Sequence, residues 1–465
     1  MRALKIVFAL FAAVLVLAIG FLAYALHTQI IPLSEPPGNF DAQLVKRGAA
    51  LATIGNCSTC HTVPGGKVFA GGRAVPTPFG TIYATNITPD AETGIGRWPE
   101  AAFQRAMRQG VDREGNHLYP AFPYDHFTLL TDDDNKALYA YLMTREPVRN
   151  TPPANTLPFP LNIRMTIAGW KLLFFRAGPY QPDPNHSPVW NRGAYLSEGI
   201  AHCGACHTPR NVLGAEDKSQ AYAGAPVEGW WAYAINKDAP APVPWTEDAF
   251  YQFLRGGWHQ FHGLARGPMS PVVENLAAVP DDEVKAIADY ITTVAGPPRP
   301  EQQQRAEALI AQARKPTPAA TSPTADIQAV PVSHGSGDGG RIYAAACAGC
   351  HDSGRPLPYG GLPLTLSTAL NGPNAYNIIN VTMFGLPPTP GEGSPIMPGF
   401  HGSLTDAQIV DLLRYLRRSL TDKPAWDNLE KDVAAVRSGQ REPALYPAPG
   451  NQATPSDPTQ RGVIW

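Results

Sequence analysis

The stretch WNRGAYLSEGIAHCGACHT, residues 190–208, sets the reading of the whole chain. Small and apolar residues recur at helical spacing and then stop at Cys203-Gly204-Ala205-Cys206-His207. Cys-x-x-Cys-His is the signal for covalent attachment of c-type haem: two thiols bond the porphyrin and the histidine supplies the proximal iron ligand. Working outward, the same arrangement closes LVKRGAALATIGNCSTCHT (residues 44–62) at Cys57, Cys60 and His61, and GGRIYAAACAGCH (339–351) at Cys347, Cys350 and His351. First cysteines stand 146 and 144 residues apart, and the three motifs use all six cysteines. We therefore expect three haem c groups, with no thiol left for a disulfide or for thiol catalysis.

A chain of 465 residues accommodates three modest domains. A formal net charge of -2 without a basic stripe excludes nucleic acid as a partner. Pro (49) and Gly (43) make up about a fifth of the chain, which suits loop-rich domains whose cores are partly haem. After Arg2 and Lys5, the uncharged run from Ile6 to Leu26 would span about 30 Å as a helix, enough to cross a bilayer. A cleaved signal peptide is the rival, with Ala23-Tyr24-Ala25 as its cleavage site, but its apolar region is normally ~7–15 residues. Under the positive-inside rule the N-terminus stays cytoplasmic, so the haem domains are expected outside the cytoplasm.

The expected fold is mainly α: a signal anchor or signal peptide (1–30) and three tandem class I cytochrome c-like domains (40–150, 186–296 and 339–420). A linker occupies 151–185, where an amphipathic patch around Trp170, Leu173 and Phe174 is expected to pack across two domains. A Pro/Ala/Gly-rich tether covers 297–338 and a Pro-rich tail 421–465. Each domain closes on a helix opened by acidic residues, at Asp132-Asp133-Asp134, Asp281-Asp282-Glu283 and Asp406, which suit the helix dipole as solvated caps. Gly335, Gly337 and Gly340 match the dinucleotide pattern G-x-G-x-x-G, but no strand precedes them and they read as linker glycines.

A cytochrome c iron takes a second axial ligand, usually methionine. Met397 (in Ser394-Pro395-Ile396-Met397-Pro398) and Met269 (in Gly267-Pro268-Met269-Ser270-Pro271) sit in proline-stiffened loops of the third and second domains and are the expected ligands. The first domain breaks the pattern. Trp98-Pro99-Glu100-Ala101-Ala102-Phe103 aligns with Trp245-Thr246-Glu247-Asp248-Ala249-Phe250 at an offset of 147, which Arg108/Arg255 and Gly110/Gly257 keep; the same offset sets Phe122 against Met269. Phenylalanine cannot ligate iron. His126, four residues on, is the candidate there; a methionine such as Met107 or Met143, or an open sixth position, are the alternatives.

WNRGAYLSEGIAHCGACHTPRNVLG, GPMSPVVENLAAVPDDEVKAIADYI and LYPAFPYDHFTLLTDDDNKALYAYL resemble the three-haem cytochrome c subunit of bacterial membrane-bound dehydrogenases for alcohols, aldehydes and gluconate. The form Phe122-Pro123-Tyr124-Asp125-His126-Phe127 looks more like the cytochrome partners of molybdenum hydroxylases that oxidise aldehydes, nicotinate or isoquinoline. That resemblance implies an electron-transfer subunit, not itself catalytic on an organic substrate. Electrons would come from a catalytic dehydrogenase subunit (a molybdenum hydroxylase, quinoprotein or flavoprotein), in the molybdenum type through a small iron–sulfur subunit. They would leave to ubiquinone or a terminal oxidase. The competing readings are a dehydrogenase-independent shuttle and a multihaem peroxidase acting at the first haem, which requires an open position there. Mass spectrometry of the denatured mature polypeptide is expected to show three covalently added haem masses; bare thiols at any motif would refute the haem count.

Overall fold

The computed structural model describes residues 2–26, 28–35, 38–313, 338–355, 357, 359–387 and 395–439. Residues 314–337 of the expected tether, 440–465 of the expected tail, and Gly335 and Gly337 of the dinucleotide-like match lie outside them. Among the described residues the chain is mostly helical and carries three two-stranded antiparallel sheets. By packing it forms two units: residues to Cys203 with Asn211–Ala215, and Gly204–Arg210 with the described residues from Glu216 onward.

In the first unit, α1 (Arg2–Leu26) contains the apolar stretch Leu4–Leu26, long enough to cross a bilayer. Helix α2 (Ala42–Ile54) is capped by Asp41, whose carboxylate accepts the N–H groups of Gln43 and Leu44 at 2.9 and 3.0 Å. It leads into α3 (Cys57–His61), and then come β1 (Ala74–Thr77) paired with β2 (Gly80–Tyr83), α4 (Glu100–Gln109), α5 (Tyr124–Phe127) and α6 (Asp132–Met143). Helices α2 and α6 cross so closely that a Cβ on Gly48 would fall 1.9 Å from the Ala137 carbonyl oxygen. Leu51, Ile54 and Leu138 are buried around that crossing.

The acidic start of α6 is more than a solvated cap. Thr131 accepts the N–H of Asp134, while the Asp134 carboxylate is buried, paired with Arg47 Nε at 2.5 Å and accepting the Tyr195 hydroxyl at 2.5 Å. Tyr195 ends α8 (Pro188–Tyr195), which continues as a π-helical turn, Leu196–Ile200. There Ile200 packs against Gly55, two residues before the first haem motif.

The 151–185 segment contains α7 (Thr166–Phe174). Its Trp170 Nε1 donates to the Leu213 carbonyl at 3.0 Å, but Leu173, expected in the packed face, is exposed. Ile167, Ala168 and Lys171 are buried instead. Lys171 Nζ donates to the carbonyls of Gln109 and Gly110, both at 2.6 Å, and burial lowers its pKa to about 7.

In the second unit, α9 (Cys203–His207), which straddles the division, is followed by β3 (Ala225–Val227) paired with β4 (Trp230–Ala232), α10 (Glu247–Gly256), β5 (Trp258–His259) paired with β6 (Gly263–Leu264), α11 (Met269–Leu276) and α12 (Asp281–Ala295). The repeat seen in sequence is structural: α4 and α10 both end on a glycine in the left-handed region, Gly110 (φ 59°) and Gly257 (φ 74°). Part of the expected tether is helical, α13 (Pro300–Ala313). Next come α14 (Gly339–Ala346), α15 (Ala348–His351), α16 (Thr368–Asn371), α17 (Tyr376–Phe384), α18 (Asp406–Leu420) and α19 (Leu429–Arg437).

Helix α18 opens on a capping box between Thr405 and Gln408. It crosses α14 at Gly339, where a Cβ would lie 2.1 Å from the Asp411 carbonyl oxygen, the counterpart of the Gly48 crossing. Helix α19 lies in the expected tail, yet Leu429, Val433 and Val436 are buried with Leu370, Ile379 and Leu413 in one core. Their i, i+4, i+7 spacing makes the apolar stripe that docks it.

Gly48→Ala in the full chain is expected to destabilise by about 1–3 kcal/mol, because the added methyl must push two helix backbones apart. Gly256→Ala, with nothing within 4 Å of its added Cβ, should be neutral. Urea midpoints of the two variants measure the difference.

Candidate haem sites

At each motif a short helix carries cysteines and histidine on adjacent turns: α3, α9 and α15. No disulfide joins the six cysteines. Burial pushes the Cys57 and Cys347 thiols up to about 12 and about 11, unlike the depressed values of Cys-x-x-Cys redox pairs.

The three histidines share one geometry. His61 Nδ1 lies 2.7 Å from the Thr85 carbonyl oxygen, His207 Nδ1 2.7 Å from that of Tyr233, and His351 Nδ1 2.8 Å from that of Leu362. A carbonyl only accepts, so each Nδ1 carries the proton and each Nε2 presents its lone pair. Desolvation lowers the pKa of all three rings, keeping them neutral. A neutral imidazole with a fixed tautomer is what an iron ligand requires.

Each tether depends on a glycine. Gly71 N–H donates to the His61 carbonyl at 2.7 Å, Gly224 N–H to that of His207 at 2.7 Å, and Gly361 N–H to that of Cys350 at 2.9 Å. A Cβ would lie 2.4 Å from Thr85 C at Gly71, 2.8 Å from Ala232 O at Gly224, and 2.6 Å from His351 Nδ1 at Gly361. Threonines follow the first two motifs, and their hydroxyls accept the N–H groups of Phe69 and Tyr222, both at 3.1 Å. Both donor loops turn at these residues, which have positive φ of 64° and 61°. Carbonyls and glycines at unequal spacing leave little signal in one sequence; the paired Cys-His-Thr was the available one.

The candidate sixth ligands occupy braced loops. Met397 exchanges both backbone hydrogen bonds with Leu386, at 2.8 and 3.0 Å. Met269 begins α11, and the Trp230 indole packs against Gly267 two residues earlier. Trp230 Nε1 and Arg266 Nε are buried donors with no acceptor among the described residues, so this part of the second unit fits a group that brings its own acceptors, as haem carboxylates would.

In the first unit His126 is 2% exposed, and its Nδ1 lies 2.7 Å from the Glu198 carbonyl oxygen. Iron coordination by His126 would therefore have to use Nε2. Phe122 packs edge-on against Phe127 at 5.3 Å, and Met107 is buried within α4.

Two family descriptions match the chain: cytochrome c over residues 45–146, and cytochrome c oxidase, cbb3-type, subunit III over residues 337–416. One of the nicotinate dehydrogenase subunits of Pseudomonas putida is 45% identical over 428 residues, which is 90% of this chain and 34% of that protein. This chain thus spans about a third of that relative's length. The gluconate 2-dehydrogenase cytochrome c subunit of Pantoea cypripedii is 35% identical, covering 92% of this chain and 95% of its own. The fructose dehydrogenase cytochrome subunit of Gluconobacter japonicus is 34% identical, covering 89% and 87%.

Gly361→Ala is expected to displace the Leu362 tether and alter the low-temperature EPR signature of the haem held by His351, with covalent haem content retained. Gly402→Ala, whose added Cβ meets nothing within 4 Å, should leave the spectrum unchanged.

Proposed function

The chain belongs to the cytochrome c subunits of membrane dehydrogenases, and on that footing we propose that it conducts single electrons through three covalently bound haems from a catalytic dehydrogenase to ubiquinone or a terminal oxidase. The observation that carries this reading is the threefold repetition of a neutral, carbonyl-tethered imidazole beside a cysteine pair. Haem, when bound, supplies an iron that cycles between ferric and ferrous states. The chain's own residues hold that chemistry to electron transfer. The tethered rings keep one tautomer and one orientation, and Met269 and Met397 are the proposed sixth ligands that close two irons to substrate. His126 is the proposed ligand for the first.

Local packing supports a relay. In the first unit the segment before the second motif rests on the approach to the first motif, with Ile200 against Gly55 and His202 Nε2 3.4 Å from the Gly55 carbonyl oxygen. In the second unit the strand before Tyr233, whose carbonyl orients His207, is stapled to α17. Trp231 N–H donates to Asn377 Oδ1 at 2.8 Å, and Asn377 Nδ2 donates to the Trp231 carbonyl at 2.9 Å. The neighbourhood of the second motif therefore has packed links to those of the first and third.

For the partner we favour a molybdenum hydroxylase-type enzyme that oxidises an aldehyde or an N-heterocycle, reached through an iron–sulfur subunit. The Phe122 form of the first-domain loop and the 45% identity to a nicotinate dehydrogenase subunit support that choice over the alcohol, gluconate and fructose branches. The apolar α1 supports anchoring in the cytoplasmic membrane with the haem domains periplasmic. Extraction of the full chain under mild detergent is expected to bring a large subunit containing molybdenum, and substrate of that enzyme should reduce the haems. Co-purification of a quinoprotein or flavoprotein would redirect the assignment, and a chain that never co-purifies with a catalytic subunit would overturn it.

A further inference from the structure

Helix α7 has one flank turned inward and one that the protein leaves uncovered. Ile167, Ala168 and Lys171 face the interior, and the Lys171 ammonium is tied down on the C-terminal end of α4. Gly169, Leu172 and Leu173 share the other flank at i, i+3 and i+4. Leu172 is 49% exposed and Leu173 63%.

That flank borders α1. A Cβ on Gly169 would sit 3.7 Å from the Phe21 ring, so the long apolar helix abuts the exposed leucines. Phe21 is five residues from the end of α1, a rise of about 8 Å. An interfacial helix buries its apolar face by about 5–10 Å, so α7 is held at a matching depth. The apolar surface continues through Trp170 to Leu213 and Val212, which are 52% and 90% exposed. A basic residue follows the helix: exposed Arg176 donates to the Leu172 and Phe175 carbonyls, whereas Arg164, which precedes it, is turned onto the His117 carbonyl and the Tyr119 ring.

We propose that α7 lies in the outer interface of the membrane as a second, monotopic contact, seating Leu172, Leu173 and the Val212-Leu213 loop among phospholipid acyl chains. Trp170 then stands at the polar boundary, and Arg176 meets phosphate groups. The occupant of this face is the bilayer, and the inference rests on the reading of α1 as an anchor. It gives the first unit a fixed tilt on the membrane, which one spanning helix cannot do.

The test uses the full chain with its haems, reconstituted in vesicles of phosphatidylcholine and phosphatidylglycerol. Leu173→Cys, Leu15→Cys and Asp133→Cys are each labelled with a nitroxide, and collisions with oxygen and with a water-soluble nickel chelate are measured. Unchanged visible spectra establish that the variants fold. The expected result is an oxygen-favoured label at 173 and at 15 and a nickel-favoured label at 133. A nickel-favoured label at 173 with 15 still in lipid overturns the inference and leaves the anchor. A nickel-favoured label at 15 overturns the anchor reading and this inference together. A label at 173 that becomes shielded from both reagents only when the catalytic partner docks also overturns it, and assigns the face to protein.

Discussion

Each site turns on a hydrogen bond from a histidine Nδ1–H to a backbone carbonyl. Net of the hydrogen bonds to water that it replaces, such a bond contributes only about 1 kcal/mol. Its importance is geometric, because it selects one tautomer, stops the ring turning and aims the other nitrogen at a single point. Much of the irregular structure delivers that carbonyl. Strand β2 leads to Thr85 and strand β4 to Tyr233, so the small hairpins act as brackets. Among the described residues the third site has no hairpin and uses the turn at Gly361-Leu362.

The chain on either side of Cys203 is braced separately. The helix and π-helical turn before it are packed into the first unit, through the Tyr195 hydroxyl on Asp134 and the Glu198 carbonyl on His126. The orientation of His207 is set in the second, through Tyr233 and the strand held by Asn377. His126 therefore braces the turn that approaches the second motif.

Much of this architecture is legible in residues 190–208 and their two counterparts, because cysteine and histidine at fixed spacing have few other uses. The helix starts at Thr131 and Thr405 are legible for a local reason: a hydroxyl followed by acidic or amide residues caps the next turn. The tethering carbonyls are not, since a backbone oxygen has no letter of its own. Asp134 reads as solvated in sequence because its partners, Arg47 and Tyr195, are 87 and 61 residues away. Helix α19 is hidden by the proline content around it, although Leu429, Val433 and Val436 keep a regular spacing. The exposed flank of α7 is a tertiary fact: its sequence is equally compatible with a packed face, and only the buried Lys171 shows which side turns inward.

The amide clasp between Trp231 and Asn377 joins residues 146 positions apart. Synthesis runs from the N-terminus, so the stretch carrying His207 exists well before Asn377 and Asn380, which secure Trp231 and Gly229. The strand that leads to Tyr233, and through it to the second imidazole, therefore gains its last brace only from the C-terminal third of the chain.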